Sequence, residues 1–198
     1  MGLSIHYNGK FNQNANLSEL IAEVKDIAET FKWDYHIFNQ VFPANKLNSF
    51  THNGELYGIC FTPPGCETVS ICFLSNYWMS AVINLKFYGK SNSKPETDYL
   101  YMISVKTQFA EILIHKTIIQ MFRHLLKKGY FAEFNMSDEG EYWETGDEDL
   151  LEKKFNFLGS MIDNFSIALE SIPKKSEETF ESYFERIIKR IQKRNVKK

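Results

Sequence analysis

Glu111 and His115 stand four residues apart in a stretch whose apolar residues recur at helical spacing, so both side chains share one helix face. A carboxylate and an imidazole so placed can act as a general base or supply two ligands to a metal ion. The bland alternative is a surface Glu–His pair, because only two groups converge. Lys116, Gln120, Arg123 and Lys127 form the wet stripe of the same helix. At ~100° per residue the pair lies about 110° from that stripe's centre, at the border of the core.

The second concentration of chemistry is acidic. Between Glu133 and Glu152 there are nine carboxylates and no base. Asp138, Glu139 and Glu141 are the candidate ligands for a hard divalent cation such as Ca²⁺ or Mg²⁺. Read from Asp138, the third and fifth positions are Gly140 and Tyr142, so the segment is not an EF-hand loop. The plainer reading is a solvated loop whose Asp147, Glu148 and Asp149 favour a helix N-terminus. Tyr142 and Trp143, followed by Glu144, argue for more: two large aromatics in an acidic loop either pack down or contact a partner.

Other signals are weaker. Cys66 sits beside Glu67 in a Pro-Pro-Gly turn, where a carboxylate raises a thiol pKa and blunts the nucleophile. Cys60, Cys66 and Cys72 are odd in number and lack a C-x-x-C spacing, which reads as reduced thiols. The chain has no Gly-rich phosphate loop, no H-E-x-x-H and no G-x-S-x-G. Residues 1–185 carry sixteen bases against twenty-five acids, and the last thirteen residues carry seven bases and no acid. A body this acidic argues against nucleic acid as the main partner. No apolar run approaches the ~18 residues of a membrane span, and no charged leader precedes an apolar run, so the expected location is cytoplasmic.

The elements that must position these residues follow from periodicity. Alternation and β-branched runs predict strands at Leu3–Tyr7, Trp33–Phe38, Glu55–Phe61, Thr68–Leu74, Met79–Tyr88, Tyr99–Val105 and Tyr130–Met136. Helices are predicted from Asn16 to Phe31, from Thr107 to Lys128, from Leu151 to Leu169, and after Pro173 with Phe180, Phe184, Ile187 and Ile191 on one face. The stretches 89–98 and 137–149 read as loops. The fold class is therefore α+β: a mainly antiparallel sheet of about six or seven strands, in the order β-α-β-β-β-β-β-α-β-α-α, with helices packed on one face. Residues 1–172 are expected to form one domain. Residues 173–198 then add an amphipathic helix, packed on it, with a basic tail.

Three functions fit these residues. The preferred one is a non-enzymatic cytosolic protein-binding or regulatory domain, presenting Tyr142, Trp143 and Glu144 to a protein with a basic surface. The alternative is a metal-assisted enzyme drawing on Glu111 and His115 with Asp138, Glu139 or Glu141. A divalent cation is then the only cofactor implied, and these groups must converge in space. The third is a ligand cavity between sheet and helices.

Overall fold

The computed structural model describes residues 3–44, 51–91 and 93–195, with side chains through 190. Lys197 and Lys198 of the basic tail, and part of the 43–54 loop, lie outside the described residues. The chain gathers into two compact units, Met1–Leu151 and Glu152–Lys198.

Among the described residues the first unit is built on seven strands: β1 (Ser4–Phe11), β2 (Asp34–Ile37), β3 (Tyr57–Thr62), β4 (Val69–Phe73), β5 (Met79–Ser80), β6 (Ile103–Lys106) and β7 (Phe131–Asp138). Its helices are α1 (Leu17–Thr30), α2 (Val82–Tyr88), α3 (Lys94–Tyr99), α4 (Ile112–Lys127) and the single turn α5 (Tyr142–Thr145). The long helix α6 (Glu148–Ser171) begins here and continues into the second unit, which ends with α7 (Phe180–Asn195).

The fold is α+β with antiparallel pairing, and its strands divide into two sheets, β6-β1-β7 and β2-β3-β4-β5. A bridge between Lys10 and Trp78 joins the end of β1 to the turn before β5. Phe11 N–H donates to the Tyr77 carbonyl beside it. β4 is buried at all five positions because both of its faces are covered. Phe73 packs against Phe11 and Phe131. Cys72 joins Leu56, Leu74 and Leu100 beneath Leu85 and Tyr88 of α2. One face of β4 thus meets residues of the first sheet, and the other meets α2.

Several boundaries differ from the periodicity reading. Met79–Tyr88 is a two-residue strand followed by α2, not one strand. Asn84 decides this: its amide donates to the carbonyls of Tyr99 and Met102 at 2.8 and 2.7 Å. Helical spacing then turns Leu85 and Tyr88 together onto the core. Helix α3 forms within the 89–98 stretch and runs on to Tyr99, with Pro95 in its first turn, so the strand predicted from Tyr99 starts at Ile103. Helix α4 starts at Ile112 and not at Thr107, because Thr107 N–H is held by the Leu3 carbonyl at 2.9 Å. The 137–149 segment contains the end of β7 and all of α5.

Gly58 shows why β3 can lie so close to β4. It has φ +128°, and a Cβ there would collide with the Ile71 carbonyl. In the second unit, Ala168 and Ile172 of the α6 end pack on Tyr183 and Ile187 of α7. Tyr183 Oη donates to the Ile172 carbonyl at 2.7 Å, and Arg186 clamps Glu178 through two bonds at 2.8 and 2.7 Å. That clamp pulls the Glu178 carboxyl down to about 2.

Candidate functional site

Of the residues singled out by type and spacing, the structure brings His115 and Asp138 together. His115 belongs to the first full turns of α4, and Asp138 is the last residue of β7. The imidazole Nε2 lies 3.1 Å from the carboxylate, and both side chains are fully buried. Of the Glu111–His115 pair expected at the border of the core, His115 is buried within it and Glu111 is exposed. Strand pairing explains the placement of the carboxylate: Asp138 lies opposite Ile5 of β1, whose side of the sheet faces inward.

The carboxylate is saturated. Besides His115 it accepts the backbone N–H groups of Gly140 at 2.7 Å, Tyr142 at 2.8 Å and Trp143 at 3.1 Å. Burial pushes the Asp138 carboxyl up. The His115 hydrogen bond and charge, with the Gly140 and Trp143 amides, outweigh burial and hold it below the usual carboxylate range. The other ring nitrogen, Nδ1, is 2.8 Å from Thr107 Oγ1, and that hydroxyl is 3.2 Å from the Leu3 carbonyl. An ionised carboxylate only accepts, so Nε2 carries a proton. The Thr107 hydroxyl has one proton, so it donates either to Nδ1 or to the Leu3 carbonyl.

Hydroxyl, imidazole and carboxylate in line are the parts of an activated nucleophile. Here Thr107 and His115 are 0% exposed and Asp138 is 3% exposed. With all three groups buried, the line ties the ends of β1, β6 and β7 to α4. Gly140 completes it. A Cβ at this position would meet the Leu151 side-chain tip at 2.6 Å, Asp138 at 3.0 Å and His115 at 3.1 Å, so a larger residue must push Leu151 aside for the turn to close over the pair.

The remaining acids do not join this pair. Glu111 is exposed and serves as the N-terminal cap residue of α4 through its main chain, its carbonyl accepting from Ile114 N–H at 2.9 Å. Glu139 turns to the start of β1, where its carboxylate accepts Ser4 N–H at 2.8 Å. Glu141 is exposed, with φ 60°, and opens α5. Glu144 accepts the Asp138 N–H at 3.0 Å. Among the described residues, no three His, Cys, Asp or Glu side chains are grouped to hold a metal ion.

Tyr142 and Trp143 pack down. Tyr142 is buried, and its hydroxyl accepts from Gln120 Nε2 at 3.1 Å. Trp143 is half-buried and meets the Phe134 ring edge-on at 6.0 Å. Arg123 lies 5.4 and 5.6 Å from the two ring centres and donates to both main-chain carbonyls at 3.0 and 2.9 Å. Thr107, Arg123 and Gly140 were not legible as site residues. Asp-x-Gly, a turn pattern, was the one available signal for Gly140.

An open groove of about 780 Å³ lies between β3 and α2, lined by Phe38, Cys60, Val82, Ile83, Asn84 and Lys86. Burial raises the Cys60 thiol pKa, so this cysteine is a poor nucleophile at neutral pH. Cys66, at the turn, is pushed up to about 11 by burial and by Glu67. No described helix is long and apolar enough to cross a membrane. No protein-family model, curated protein or solved structure matches the chain.

Proposed function

We propose that the chain is a non-enzymatic protein-binding domain whose contact surface is the apolar flank of the helical unit that begins at Glu152. One observation carries this reading. Phe180, Ile188 and Ile162 remain 68%, 47% and 40% exposed, on two helices whose own seam buries only a small cluster. Apolar side chains left bare in this way, with Phe180 continuing through Phe184 to Phe165, mark protein contact sites. The acidic segment suits a supporting role: Tyr142 is spent on Arg123 and Gln120, while Asp147 and Asp149 stay exposed and keep the first unit's surface negative. The reading retains protein binding and moves the aromatic contact from Tyr142 and Trp143 to the hairpin.

The test is a photo-crosslinking residue placed at Phe180 in the full chain, expressed in its native cell. A defined protein adduct on irradiation is expected. The absence of any protein adduct overturns the reading.

A further inference from the structure

The reading of the helical unit as a protein contact leaves open which protein covers it. Resting on that reading, we infer that the occupant is a second copy of this chain, with α7 of one copy running antiparallel to α7 of the other.

The first argument is geometric. Along α6, Phe155, Leu158, Ile162, Phe165 and Leu169 step by three and four, and Ile172 just past its end continues the row. That is the repeat of a helix packed in a bundle. Helix α7 covers this stripe only in part. Ala168 and Ile172 are buried against Tyr183 and Ile187, whereas Phe165 and Leu169 are only partly covered. Phe165 stacks on Phe184 at 6.0 Å, and Phe184 on Phe180 at 6.4 Å. The α6 stripe therefore runs on into a ridge of Phe180, Phe184 and Ile188 along one flank of α7. Two helices with a shared apolar flank are half of a four-helix bundle, and a twofold axis supplies the other half.

The second argument is size. A 47-residue unit (Glu152–Lys198) is near the lower limit for an independent core, and among the described residues its cluster holds four buried side chains. Phe180, Phe184, Ile188 and Ile162 are 68%, 39%, 47% and 40% exposed. Taking ~200 Å² for a Phe side chain and somewhat less for Ile, they leave roughly 400 Å² bare on each copy. Pairing two copies removes roughly 800 Å² of apolar surface, which is the apolar share of a standard specific interface.

The third argument selects the partner and its direction. The α7 segment is divided by sign: Glu177, Glu178, Glu181 and Glu185 come first, and Arg186, Lys189, Arg190, Lys193 and Arg194 follow. Glu178 is held by Arg186 within the copy, and Glu185 by Lys189. An antiparallel pair centred near Phe184 sets Glu177 and Glu181 of one copy beside the basic half of the other. A parallel pair sets like charges together. The surface is thus complementary to itself in one orientation.

Sedimentation equilibrium of the full-length chain, from about 1 to 100 µM, tests this. A dimer dissociating below about 10 µM is expected, and F180E/I188E should weaken it at least ~100-fold. Both of those side chains point outward, so the variant keeps the hairpin. E177R/E181R and K189E/R190E should each weaken the dimer by about tenfold or more at low salt, and an equimolar mixture of the two should restore it. A wild-type chain that is monomeric at the highest concentration overturns the inference, as does a mixture that fails to recover. The crosslink from position 180 separates this inference from the reading beneath it. An adduct of twice the chain mass supports both. An adduct with a different protein, from a monomeric chain, overturns self-pairing and leaves protein binding standing. No adduct overturns both.

Discussion

Replacing Asp138 with alanine removes one acceptor shared by four donors. Gly140, Tyr142 and Trp143 lose the partner of their N–H groups, and His115 loses the partner of Nε2. A buried donor left unsatisfied costs about 1–3 kcal/mol, and breaking a buried ionic pair about 3–5 kcal/mol. These are not independent, because the turn through Gly140 can relax once its anchor is gone and admit water to part of the cavity. The expected loss is about 3–5 kcal/mol, against a total of ~10 kcal/mol for an ordinary domain. D138N keeps one acceptor oxygen and should lose about 2–3 kcal/mol. Urea unfolding at pH 7, followed by tryptophan fluorescence, isolates the relevant unit, since Trp33, Trp78 and Trp143 all precede Glu152. The pH dependence has a definite sign. The folded Asp138 pKa lies below its unfolded value, so the unfolded chain binds the proton first. The contribution is fully present above the ordinary carboxylate range near ~4 and is lost as pH falls through the lower folded value. D138N should flatten that acid limb. A loss under about 1 kcal/mol for D138A would refute the claim that this carboxylate anchors the turn.

Other changes report on neighbouring claims. R123A removes two hydrogen bonds to main-chain carbonyls and a cation over two rings, and should cost about 1–3 kcal/mol with a shift in Trp143 emission; an unchanged spectrum counts against the packed-down aromatics. G140A makes the Leu151 side-chain tip give way beside Asp138 and should destabilise by about 1 kcal/mol in the same unfolding assay, with a neutral result showing that the turn has room. Y7F takes the acceptor from Ser70 N–H and the donor from its carbonyl, a buried pair at 3.0 and 2.9 Å, and should cost about 1–3 kcal/mol by thermal unfolding. The Cys66 thiol, raised to about 11, should react with iodoacetamide at pH 7.5 more slowly than a free cysteine, and the rate should climb through the alkaline range; rapid alkylation at neutral pH contradicts its environment.

The α+β architecture was legible because β1, β3, β4, α1 and α4 carry long periodic patterns, and these form close to where the pattern puts them. Short segments were not. Met79–Tyr88 alternates well enough for a strand, but its fate depends on Asn84 finding two carbonyls at residues 99 and 102, which are far along the chain. Leu3–Tyr7 runs on to Phe11 because β7 pairs with β1 along its whole length. At the site, His115 and Asp138 were legible as chemistry-bearing types, and their meeting was the stated requirement of a metal site. Their burial was not legible: it depends on Thr107, Leu3 and Gly140, which come from three separate segments. The acidic composition of 133–152 said nothing about which carboxylates turn inward. Only Asp138 does so, because strand register gives it an inward position opposite Ile5.

The central claim is that this chain meets proteins through the hairpin flank and not through the acidic turn. One paired measurement addresses it: the same photo-crosslinking residue placed at Phe180 in one full-length chain and at Trp143 in another, irradiated in cells under identical conditions. Protein adducts from position 180 with none from position 143 are the predicted outcome. Adducts from position 143 with none from 180 would contradict the account and return the binding surface to the acidic segment.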